Sequence, residues 1–309
     1  MDLKNIICKG VSYIKDEGYR FMVNTARFGM YRNMSDDEYL KKAFRYRMGC
    51  ELNLETPKTF NEKLQWLKLY DRRPEYTAMV DKYEMKTYIT EHIGEQYIIP
   101  TLGIWNHFDE IDFNSLPNQF VLKCTHDSGG LSICKDKTKW NKTTAKEKLE
   151  KSLKQNYYYW GREWPYKNVK PRILAEKFMS NYGKDLIDFK VHNFNGEPKV
   201  ILICAERFSD EQYTQDFFDC DWNHLPVKRP KAPNAVIKIQ KPVCLQEMLD
   251  ISRSLSKNIP FLRTDFYIIE GRLYIGELTF SPASGFVPFE PESFDYELGS
   301  YLTLPDKNI

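Results

Sequence analysis

A stretch near the C-terminal end of the sequence, residues 263–280, carries two carboxylates and an arginine in the pattern of a β-hairpin. Apolar and β-branched runs flank a Glu-Gly pair that is typical of a turn. In the pairing that we predict, Asp265 faces Glu277 and Arg263 faces Thr279, so the four polar side chains share one face of the sheet. Opposed carboxylates repel each other unless a positive charge lies between them. Mg²⁺ meets this requirement, because it takes oxygen ligands from one or two carboxylates and otherwise from water and phosphates.

This pairing depends on the length of the turn. A three-residue loop, residues 270–272, would place Ile269 opposite Leu273 and would give the pairing above. A two-residue loop would shift the register by one residue and would move the two carboxylates to opposite faces of the hairpin. The predicted metal site therefore depends on this turn.

The composition is that of a globular protein without a membrane span. Of 309 residues, 42% are hydrophobic and 28% charged, and the net charge of +2 indicates no particular class of partner. Apolar runs stay below the roughly eighteen residues of a membrane helix, and the first residues lack the apolar core and cleavage site of a signal peptide. Seven cysteines without CxxC spacing favour reduced thiols. We expect a cytoplasmic protein that binds no nucleic acid.

The first part of the chain is predicted to be helical. Apolar residues recur at helical spacing from Leu3 to Ile14, and residues 1–32 carry six basic side chains against three acidic ones. A basic amphipathic helix can make peripheral contact with an anionic membrane surface, although a solvated packing helix is the commoner outcome. Capping boxes at 35–38 and 59–62 predict two more helices.

Periodicity and turn signals predict a succession of helices and strands over the rest of the chain. A helix after Pro74 would carry Lys82 and Lys86 one turn apart on the same face. The most regular hairpin turns at Asn195 and Gly196. The remaining predictions are a short strand at 97–100, strands at 120–124, 131–134 and 173–178, a lysine-rich helix at about 144–158, hairpin strands at 188–194 and 200–205, a surface excursion at 222–243 and a helix at 245–255.

Lysines, a glycine-bearing loop and the carboxylate pair together make a coherent nucleotide site. Lys123 follows three apolar strand residues, where a lysine is unusual without a partner, and Lys190 lies on another predicted strand. Lysines neutralise phosphate oxygens, the backbone amides of the polar loop 125–130 can cap them, and a metal ion can bridge them. Glu176, near the end of a further strand, fits a site residue and a surface acid about equally.

Several candidates also have a plain structural interpretation. Lys82 could belong to a solvated helix face. His126 and Asp127 could cap a turn, and His192 could be a structural hydrogen bonder, as a lone histidine more often is. These alternatives stay open on the sequence alone.

The order of these features resembles that of the ATP-grasp superfamily, and within it the TupA-like ATP-grasp family of bacterial polysaccharide gene clusters. The resemblance extends over about residues 40–305. Four segments carry it: residues 60–66 (FNEKLQW), 120–130 (FVLKCTHDSGG), 188–190 (DFK) and 276–286 (GELTFSPASGF).

The resemblance implies an α+β fold of the ATP-grasp type, in which two α+β subdomains clasp the nucleotide, with an N-terminal helical extension. The chain would divide into an N-terminal helical region (1–73), a helix and strand segment before the grasp (74–116), a first subdomain with the glycine loop (117–179) and a second subdomain with the metal and substrate site (180–305).

The resemblance also implies which residues form the site. Asp265 and Glu277 would bind Mg²⁺, and Thr279, where many ATP-grasp enzymes have asparagine, would ligate through its hydroxyl or leave that position to water. Arg263 and Lys190 would be catalytic, Arg263 at the substrate carboxylate and the developing acyl phosphate, Lys190 at phosphate. Residues of the turn that follows would line the acceptor site: Ser281, Ser284 and Gly285. The nucleotide would be held by lysines, by the loop and by strand backbone against adenine: Lys82, Lys123, His126, Asp127, Ser128, Gly129, Gly130, Glu176, Lys177, Phe178 and Lys190.

The activity that the resemblance implies is that of a carboxylate–amine ligase with ATP and Mg²⁺ as cofactors. ATP would phosphorylate a carboxylate to an acyl phosphate, and an amine would then displace the phosphate to form an amide. The family further implies an amino acid or other amine joined to a uronic acid unit, on a sugar or lipid-linked saccharide, in capsule or exopolysaccharide biosynthesis.

Two other classes stay in view. A glycosyltransferase that uses a nucleotide sugar needs a metal-binding DxD motif, and Asp219-Cys220-Asp221 matches it, in a proline-rich stretch that we expect to lack a preceding strand. A non-catalytic adaptor would have no physical reason to keep buried charges in an idle site. A simple salt bridge between Arg263 and Asp265 would leave Glu277 without a partner.

Overall fold

Two antiparallel β-sheets form the framework of the protein. The computed structural model describes residues 16–180, 186–205, 213–230, 232–236 and 239–307. The first sheet has the strand order β1-β4-β2-β3, and the second has the order β10-β9-β5-β6-β7-β8. The strands are β1 (Thr101–Trp105), β2 (Phe120–Cys124), β3 (Leu131–Cys134), β4 (Ile173–Lys177), β5 (Asp188–Phe194), β6 (Glu197–Ala205), β7 (Thr214–Asp219), β8 (His224–Leu225), β9 (Phe261–Ile269) and β10 (Arg272–Thr279).

The helices lie mainly before the first sheet, between its strands and at the end of the chain. Short 3₁₀ turns occupy Glu95–Tyr97, Phe108–Glu110, Trp164–Tyr166 and Pro282–Gly285. The α-helices of the described residues are α1 (Glu17–Phe28), α2 (Asp36–Met48), α3 (Phe60–Tyr70), α4 (Glu75–Val80), α5 (Met85–Ile93), α6 (Lys142–Leu153), α7 (Tyr158–Gly161), α8 (Leu245–Leu255) and α9 (Ser293–Tyr301).

Local capping explains where the predicted helices begin. At α3, the Thr59 hydroxyl accepts from the Glu62 amide at 3.2 Å, and the Glu62 carboxylate accepts from the Thr59 amide at 2.9 Å. At α2, Ser35 caps the amide of Glu38. Both helices and α8 are confirmed. The apolar spacing from Leu3 to Ile14 falls outside the described residues.

The helix predicted after Pro74 is wrong in its length, because Asp81 interrupts it. The Asp81 carboxylate accepts from the amides of Tyr83 at 2.8 Å and Glu84 at 3.2 Å, which offers the backbone a turn in place of a continued helix. The result is two helices, α4 and α5. Lys82 and Lys86 therefore do not share a helix face.

Two other element boundaries differ from the prediction. The strand predicted at 97–100 begins instead at Thr101, because Pro100 has no amide hydrogen to give to a ladder; its carbonyl accepts from Lys177 at 3.0 Å. The predicted helix at about 144–158 ends at Leu153, after which the Asn156 side chain accepts from the amide of Tyr158 and starts a new turn.

Helices cover both faces of the second sheet. On one face, α2, α3 and α9 bury side chains such as Phe44, Phe60 and Phe294 against Phe194 and Leu202. The other face packs against α5 and α8 through a second group of apolar side chains: Met85, Ile89, Met248, Leu255, Val191, Ile201 and Phe266. Because strand side chains alternate, Lys190 and His192 point to the same side as Phe194, so the polar end of that face adjoins α3.

Candidate nucleotide and substrate site

The turn of the β9–β10 hairpin has two residues, so the predicted three-residue loop is wrong. Glu270 and Gly271 have φ of 51° and 79°, as a tight type I′ turn requires. Ile269 therefore faces Arg272. Leu273 faces Ile268 instead of Ile269.

A β-bulge at Gly276 restores the register that the short turn shifts. Beyond the bulge, Glu277 faces Asp265 and Thr279 faces Arg263, so the predicted pairing of the polar residues is confirmed. Glycine suits this position, since a Cβ atom there would lie 2.5 Å from the ring of Tyr267.

Protein cations lie beside the buried carboxylate of the pair. Arg263 binds Asp265 with Nε to Oδ1 at 2.6 Å and Nη2 to Oδ2 at 2.8 Å, and it also donates to the Thr279 hydroxyl at 3.1 Å. Lys190, opposite Asp265 on β5, donates to the same carboxylate. Burial alone would raise the pKa of Asp265, but Arg263 and Lys190 hold it below its usual value. Asp265 is therefore ionised at neutral pH.

Glu277 differs from Asp265 in having no such partner. Its side chain is half-buried, and no hydrogen bond or ion pair of its carboxylate is found within the described part of the chain. Asp265 Oδ2 already accepts from both Arg263 and Lys190, but Oδ1 accepts only from Arg263 and keeps a lone pair. The pair can thus offer oxygen ligands to a cation, which fits Mg²⁺.

The donor set excludes one kind of metal site. Over the residues that the structure describes, no three His, Cys, Asp or Glu side chains are grouped closely enough to hold a metal alone. Mg²⁺ does not need such a group, because one or two carboxylates suffice when nucleotide phosphates supply the other ligands.

A cleft of about 760 Å³ lies between the two sheets, which is a size typical of ligand pockets. Val121 and Lys123 line it from the first sheet, and Asp188 and Tyr267 from the second. Lys177 and Phe178, at the end of β4, also line the cleft, and their contact with adenine stays a prediction.

Glu176 is a buried ion-pair partner of two lysines. Its carboxylate lies 2.6 Å from Lys123 Nζ and 2.7 Å from Lys86 Nζ. Lys86 also donates to the carbonyl of Ile99 at 2.7 Å and the hydroxyl of Thr101 at 2.8 Å. Burial would raise the pKa of Glu176, but Lys123 and Lys86 hold it below its usual value. The triad fixes the Lys123 ammonium at the wall of the cleft.

Side chains of the glycine loop anchor the loop itself. His126 Nε2 lies 3.2 Å and 3.0 Å from the carbonyls of Ser152 and Gln155, at the end of α6. The Asp127 carboxylate accepts from the amide of Gly130 at 3.0 Å and from the Ser152 hydroxyl. Both side chains are therefore engaged within the protein, and their contact with a nucleotide stays a prediction.

The tip of the loop is open. Lys82 donates to the Asp127 carbonyl, so this lysine holds the loop from the opposite side. Ser128 lines a second cavity, and a Cβ at Gly129, where φ is 150°, would meet nothing within 4 Å. Backbone amides at the tip can approach a ligand more readily than the side chains of the loop.

The second cavity, of about 440 Å³, adjoins the charged hairpin. Lys190, His192, Arg263 and Glu277 line it. His192 Nδ1 lies 3.1 Å from the carbonyl of Lys190 and must donate to it. Burial and the charge of Arg263 lower the pKa of His192 to about 3, so the ring is neutral at physiological pH.

Side chains of α3 hold the turn after β10 in an unusual backbone conformation. Ala283, Ser284 and Gly285 have φ of 50°, 56° and 62°, a left-handed run that is strained for residues other than glycine. Lys68 Nζ donates to the Ser284 carbonyl at 2.7 Å, and Gln65 Nε2 to the Gly285 carbonyl at 2.8 Å. The polar groups of Ser284 and Gly285 thus meet α3, whereas Ala283 lines the second cavity.

A buried ion network that the sequence analysis missed supports this turn. Lys68 also donates to Gln65 at 2.8 Å and to the Gly161 carbonyl at 2.8 Å. Ser284 Oγ donates to Glu163 at 2.7 Å. Burial lowers the pKa of Lys68 and raises that of Glu163. The one sequence feature that could have pointed to Lys68 is its position three residues after Gln65, just beyond the segment 60–66 that carries the family resemblance.

The remaining predicted residues are placed as follows. Ser281 is buried at the start of the turn, and its carbonyl accepts from the Ser284 amide at 2.9 Å. The predicted surface excursion at 222–243 is wrong in part, since Val227, Arg229 and Ala232 are buried and β8 pairs with β7. Sequence reasoning therefore missed Arg229, which lines the second cavity.

The DxD match does not form a metal site. A strand does precede it, contrary to expectation, because β7 ends at Asp219. However, Asp219 accepts from the amides of Asp221 at 3.0 Å and Asn223 at 2.7 Å and from the Asn223 side chain at 2.8 Å. The carboxylate closes a tight turn, and the glycosyltransferase alternative has no support there.

The solved structures that this chain is similar to include ATP-grasp ligases. A D-alanine–D-alanine ligase from Bacillus anthracis complexed with ATP shares 14% identity over 66% of this chain and 54% of its own, with a TM-score of 0.39. The ATP-grasp ligase PsnB complexed with a minimal precursor shares 10% over 72% and 59%, with a TM-score of 0.38. A D-alanine–D-alanine ligase from Helicobacter pylori shares 15% over 81% and 68%, with a TM-score of 0.43. The chain thus spans little more than half the length of the first two, and the similarity is distant.

The family comparison is more specific. No curated protein matches this chain. A family model described as TupA-like ATPgrasp matches residues 62–303, which is most of the chain and includes every element of both cavities. The predicted α+β fold class is confirmed with the family: the chain belongs to the TupA-like ATP-grasp family.

Proposed function

We propose that the protein is an ATP- and Mg²⁺-dependent carboxylate–amine ligase that acts through an acyl phosphate. One observation carries the proposal. Lys190, Arg263, Asp265 and Glu277 share one face of the second sheet, where a nucleotide-sized cleft between the sheets adjoins a second polar cavity. Phosphoryl transfer from a nucleotide in the cleft to a substrate in the cavity needs charges of this kind at that place.

The nucleotide would lie in the cleft between the sheets. Backbone groups from Glu176 to Phe178 would contact adenine, with Phe178 against the ring. Lys123 would hold the phosphates from the first sheet and Lys190 from the second, because both ammonium groups are fixed by buried carboxylates. The amides at the tip of the loop 125–130 would cover the phosphates.

Asp265 and Glu277 would hold Mg²⁺, with Thr279 next to them. When bound, the metal would neutralise phosphate oxygens and orient them. Arg263 spans the site from Asp265 to Thr279, so its guanidinium is positioned to attract a substrate carboxylate and to stabilise the charge on it.

The reaction has two steps. A carboxylate oxygen of the substrate attacks the γ-phosphorus of ATP, which forms the acyl phosphate and releases ADP. The nitrogen of an amine then attacks the carbonyl carbon; an amide forms, phosphate leaves and the amine gives up a proton. The second cavity would hold the carbonyl carbon and the amine, with water excluded.

The family membership supports a finer proposal about substrates. We propose that the amine, an amino acid or another amine, is joined to a uronic acid unit, on a sugar or lipid-linked saccharide, in capsule or exopolysaccharide biosynthesis. We further propose that the enzyme works in the cytoplasm, with peripheral membrane contact through its N-terminal helix. A helix long and apolar enough to cross a membrane is not found in the described residues.

The experiment that tests this function follows nucleotide products. Purified protein with ATP and Mg²⁺ should release ADP, and not AMP, when uronic acids are supplied with amines. Hydroxylamine should capture the acyl phosphate as a hydroxamate in the absence of the natural amine. A protein that forms no hydroxamate with any carboxylate, and instead transfers sugar from a nucleotide sugar, would overturn the proposal.

A further inference from the structure

One buried cation in the second cavity has no carboxylate partner. Arg229 is 8% exposed, and no ion pair of its guanidinium is found within the described residues. Asp295 is the acid with the largest electrostatic effect on Arg229. However, both oxygens of Asp295 accept hydrogen bonds from Asn61, at 3.0 Å and 2.8 Å. A buried arginine without a partner is rare, because removal of its charge from water is unfavourable unless a counter-charge replaces the water.

The guanidinium is held rigidly, as a recognition group requires. Nη1 donates to the Val287 carbonyl at 2.6 Å, and the group stacks 3.9 Å from the ring centre of Phe289. Its neighbour Lys228 forms backbone hydrogen bonds in both directions with Glu290. Nε and Nη2 make no hydrogen bond within the described residues, so both nitrogens can still donate, and Arg229 lines the second cavity.

Arg229 reaches the second cavity from a different segment than Arg263 and Glu277. The cavity wall runs across the second sheet from Glu277 on β10 to Gln215 on β7. Arg229 comes after β8, and Asn234 ties its segment to Gln215 and Val227 at 2.9 Å and 3.1 Å. Glu277 on β10 and Arg229, which follows β8 at the other end of the strand order, thus line different parts of the second cavity.

The positions of the phosphate and of the amine during the reaction decide which substrate meets Arg229. The leaving phosphate of an acyl phosphate would lie at Lys190, Arg263 and Glu277. The amine attacks one face of the carbonyl carbon, and the rest of the amine substrate would then lie in the part of the second cavity that the phosphate does not fill, which Arg229 lines. Guanidinium forks bind carboxylates with two parallel hydrogen bonds.

We propose that Arg229 binds an anionic group of the amine substrate, so that the amine is an amino acid or another amine that carries its own carboxylate. This inference rests on the proposed ligase function. Arg229 would then select amines that carry a carboxylate over amines that lack one, because an amine without a carboxylate would leave the guanidinium buried without a counter-charge.

The test compares amino acids with their carboxamides, for example glycine with glycinamide and L-alanine with L-alaninamide, at a fixed carboxylate substrate that gives a hydroxamate. The wild type should prefer the amino acid. Arg229→Gln should raise the KM for the amino acid at least about 30-fold, the loss expected for one buried charge pair, and should reduce the preference over the amide accordingly. Arg229→Lys should keep part of that preference, whereas Arg272→Gln, at an exposed arginine, should not change it.

Each outcome separates this inference from the proposed function. If the wild type forms no hydroxamate, the ligase function is wrong and the inference falls with it. If hydroxamate forms but amino acids react no better than their amides, or if Arg229→Gln keeps the preference, Arg229 does not select the amine. If Arg229→Gln and Arg229→Lys raise the KM for the carboxylate substrate instead, the assignment of Arg229 to the amine is contradicted. It is also contradicted if both of these variants lose hydroxamate formation.

Discussion

Asp265 and Glu277 lie directly opposite each other on β9 and β10, and they do so because Gly276 bulges out of β10. Without the bulge, the two-residue turn would place Asp265 opposite Gly276 and Glu277 on the other face of the hairpin. The bulge thus brings Glu277, whose carboxylate has no partner among the described residues, next to a carboxylate that Arg263 and Lys190 already hold.

Glu277→Gln should abolish metal-dependent ATP turnover and leave the fold intact. The amide keeps the shape of the side chain but removes the charge that Mg²⁺ requires, and we expect a loss of at least about 100-fold in kcat. ADP release at saturating ATP measures the effect, and circular dichroism checks the fold. Glu91→Gln, at an exposed position on α5, is the matched control. Unchanged turnover in Glu277→Gln would refute the metal assignment.

Gly276→Val should impair the nucleotide cleft through Tyr267. The new Cβ would meet the Tyr267 ring at 2.5 Å, and that ring lines the cleft. Overpacking of this kind lowers the free energy of unfolding by about 1–3 kcal/mol, and the displaced ring should raise the KM for ATP. In the double variant with Tyr267→Ala, the effects should be less than additive. Full additivity in urea unfolding would mean that the clash is not the cause.

Glu176→Gln should destabilise the protein in a way that depends on pH. The folded-state pKa of Glu176 is lowered from 4.5, so its stabilising contribution is present above about pH 4.5 and is lost as the pH falls through the folded value. At pH 7 the variant should lose about 3 kcal/mol, since Lys86 and Lys123 are left without their buried partner.

Urea unfolding at pH 7 and at pH 4 and below measures this difference. The gap between wild type and Glu176→Gln should shrink as the pH falls below about 4.5, because the unfolded chain takes up the proton first and the folded carboxylate takes it up only at lower pH. Glu147→Gln, at an exposed position on α6, should behave as wild type throughout. A gap that stays constant with pH would show that the charge of Glu176 is not what stabilises the triad.

Lys68→Met should destabilise the turn that lines the second cavity. The substitution leaves Glu163 buried without its cation and removes the donor to the Ser284 carbonyl, a loss of about 3–5 kcal/mol. Adding Glu163→Gln should recover part of it, since the uncompensated charge is then absent. Lys41→Met, on the exposed face of α2, serves as control. A double variant less stable than Lys68→Met would contradict this coupling.

The sequence predicted most of the strands and the face that carries the charges, because alternation and turn residues act locally. Its pairing of Asp265 with Glu277 was right although the turn was wrong, since an unforeseen bulge offset an incorrect loop length. An isolated glycine within a strand pattern, such as Gly276, is a known signal of a bulge and could have been used.

Contacts between segments that are far apart in the chain could not be predicted from local sequence patterns. Glu176 joins Lys86 and Lys123 only when three separate segments meet, and Lys68 and Glu163 come together on Ser284 in the same way. The position of Arg229 at the second cavity could not be predicted for another reason. Prolines around it indicate a loop, but composition does not reveal that the loop folds over a cavity. The four-part division of the chain at 73, 116 and 179 stays a prediction.

The most direct test of the ligase function is a nucleotide assay with Mg²⁺, a panel of uronic acids and a panel of free amino acids, in which ADP and AMP are followed separately. The account predicts ADP release that a carboxylate and an amine stimulate together, with an amide as the product. The absence of nucleotide turnover, combined with hydrolysis of or transfer from a UDP-sugar under the same conditions, would contradict it.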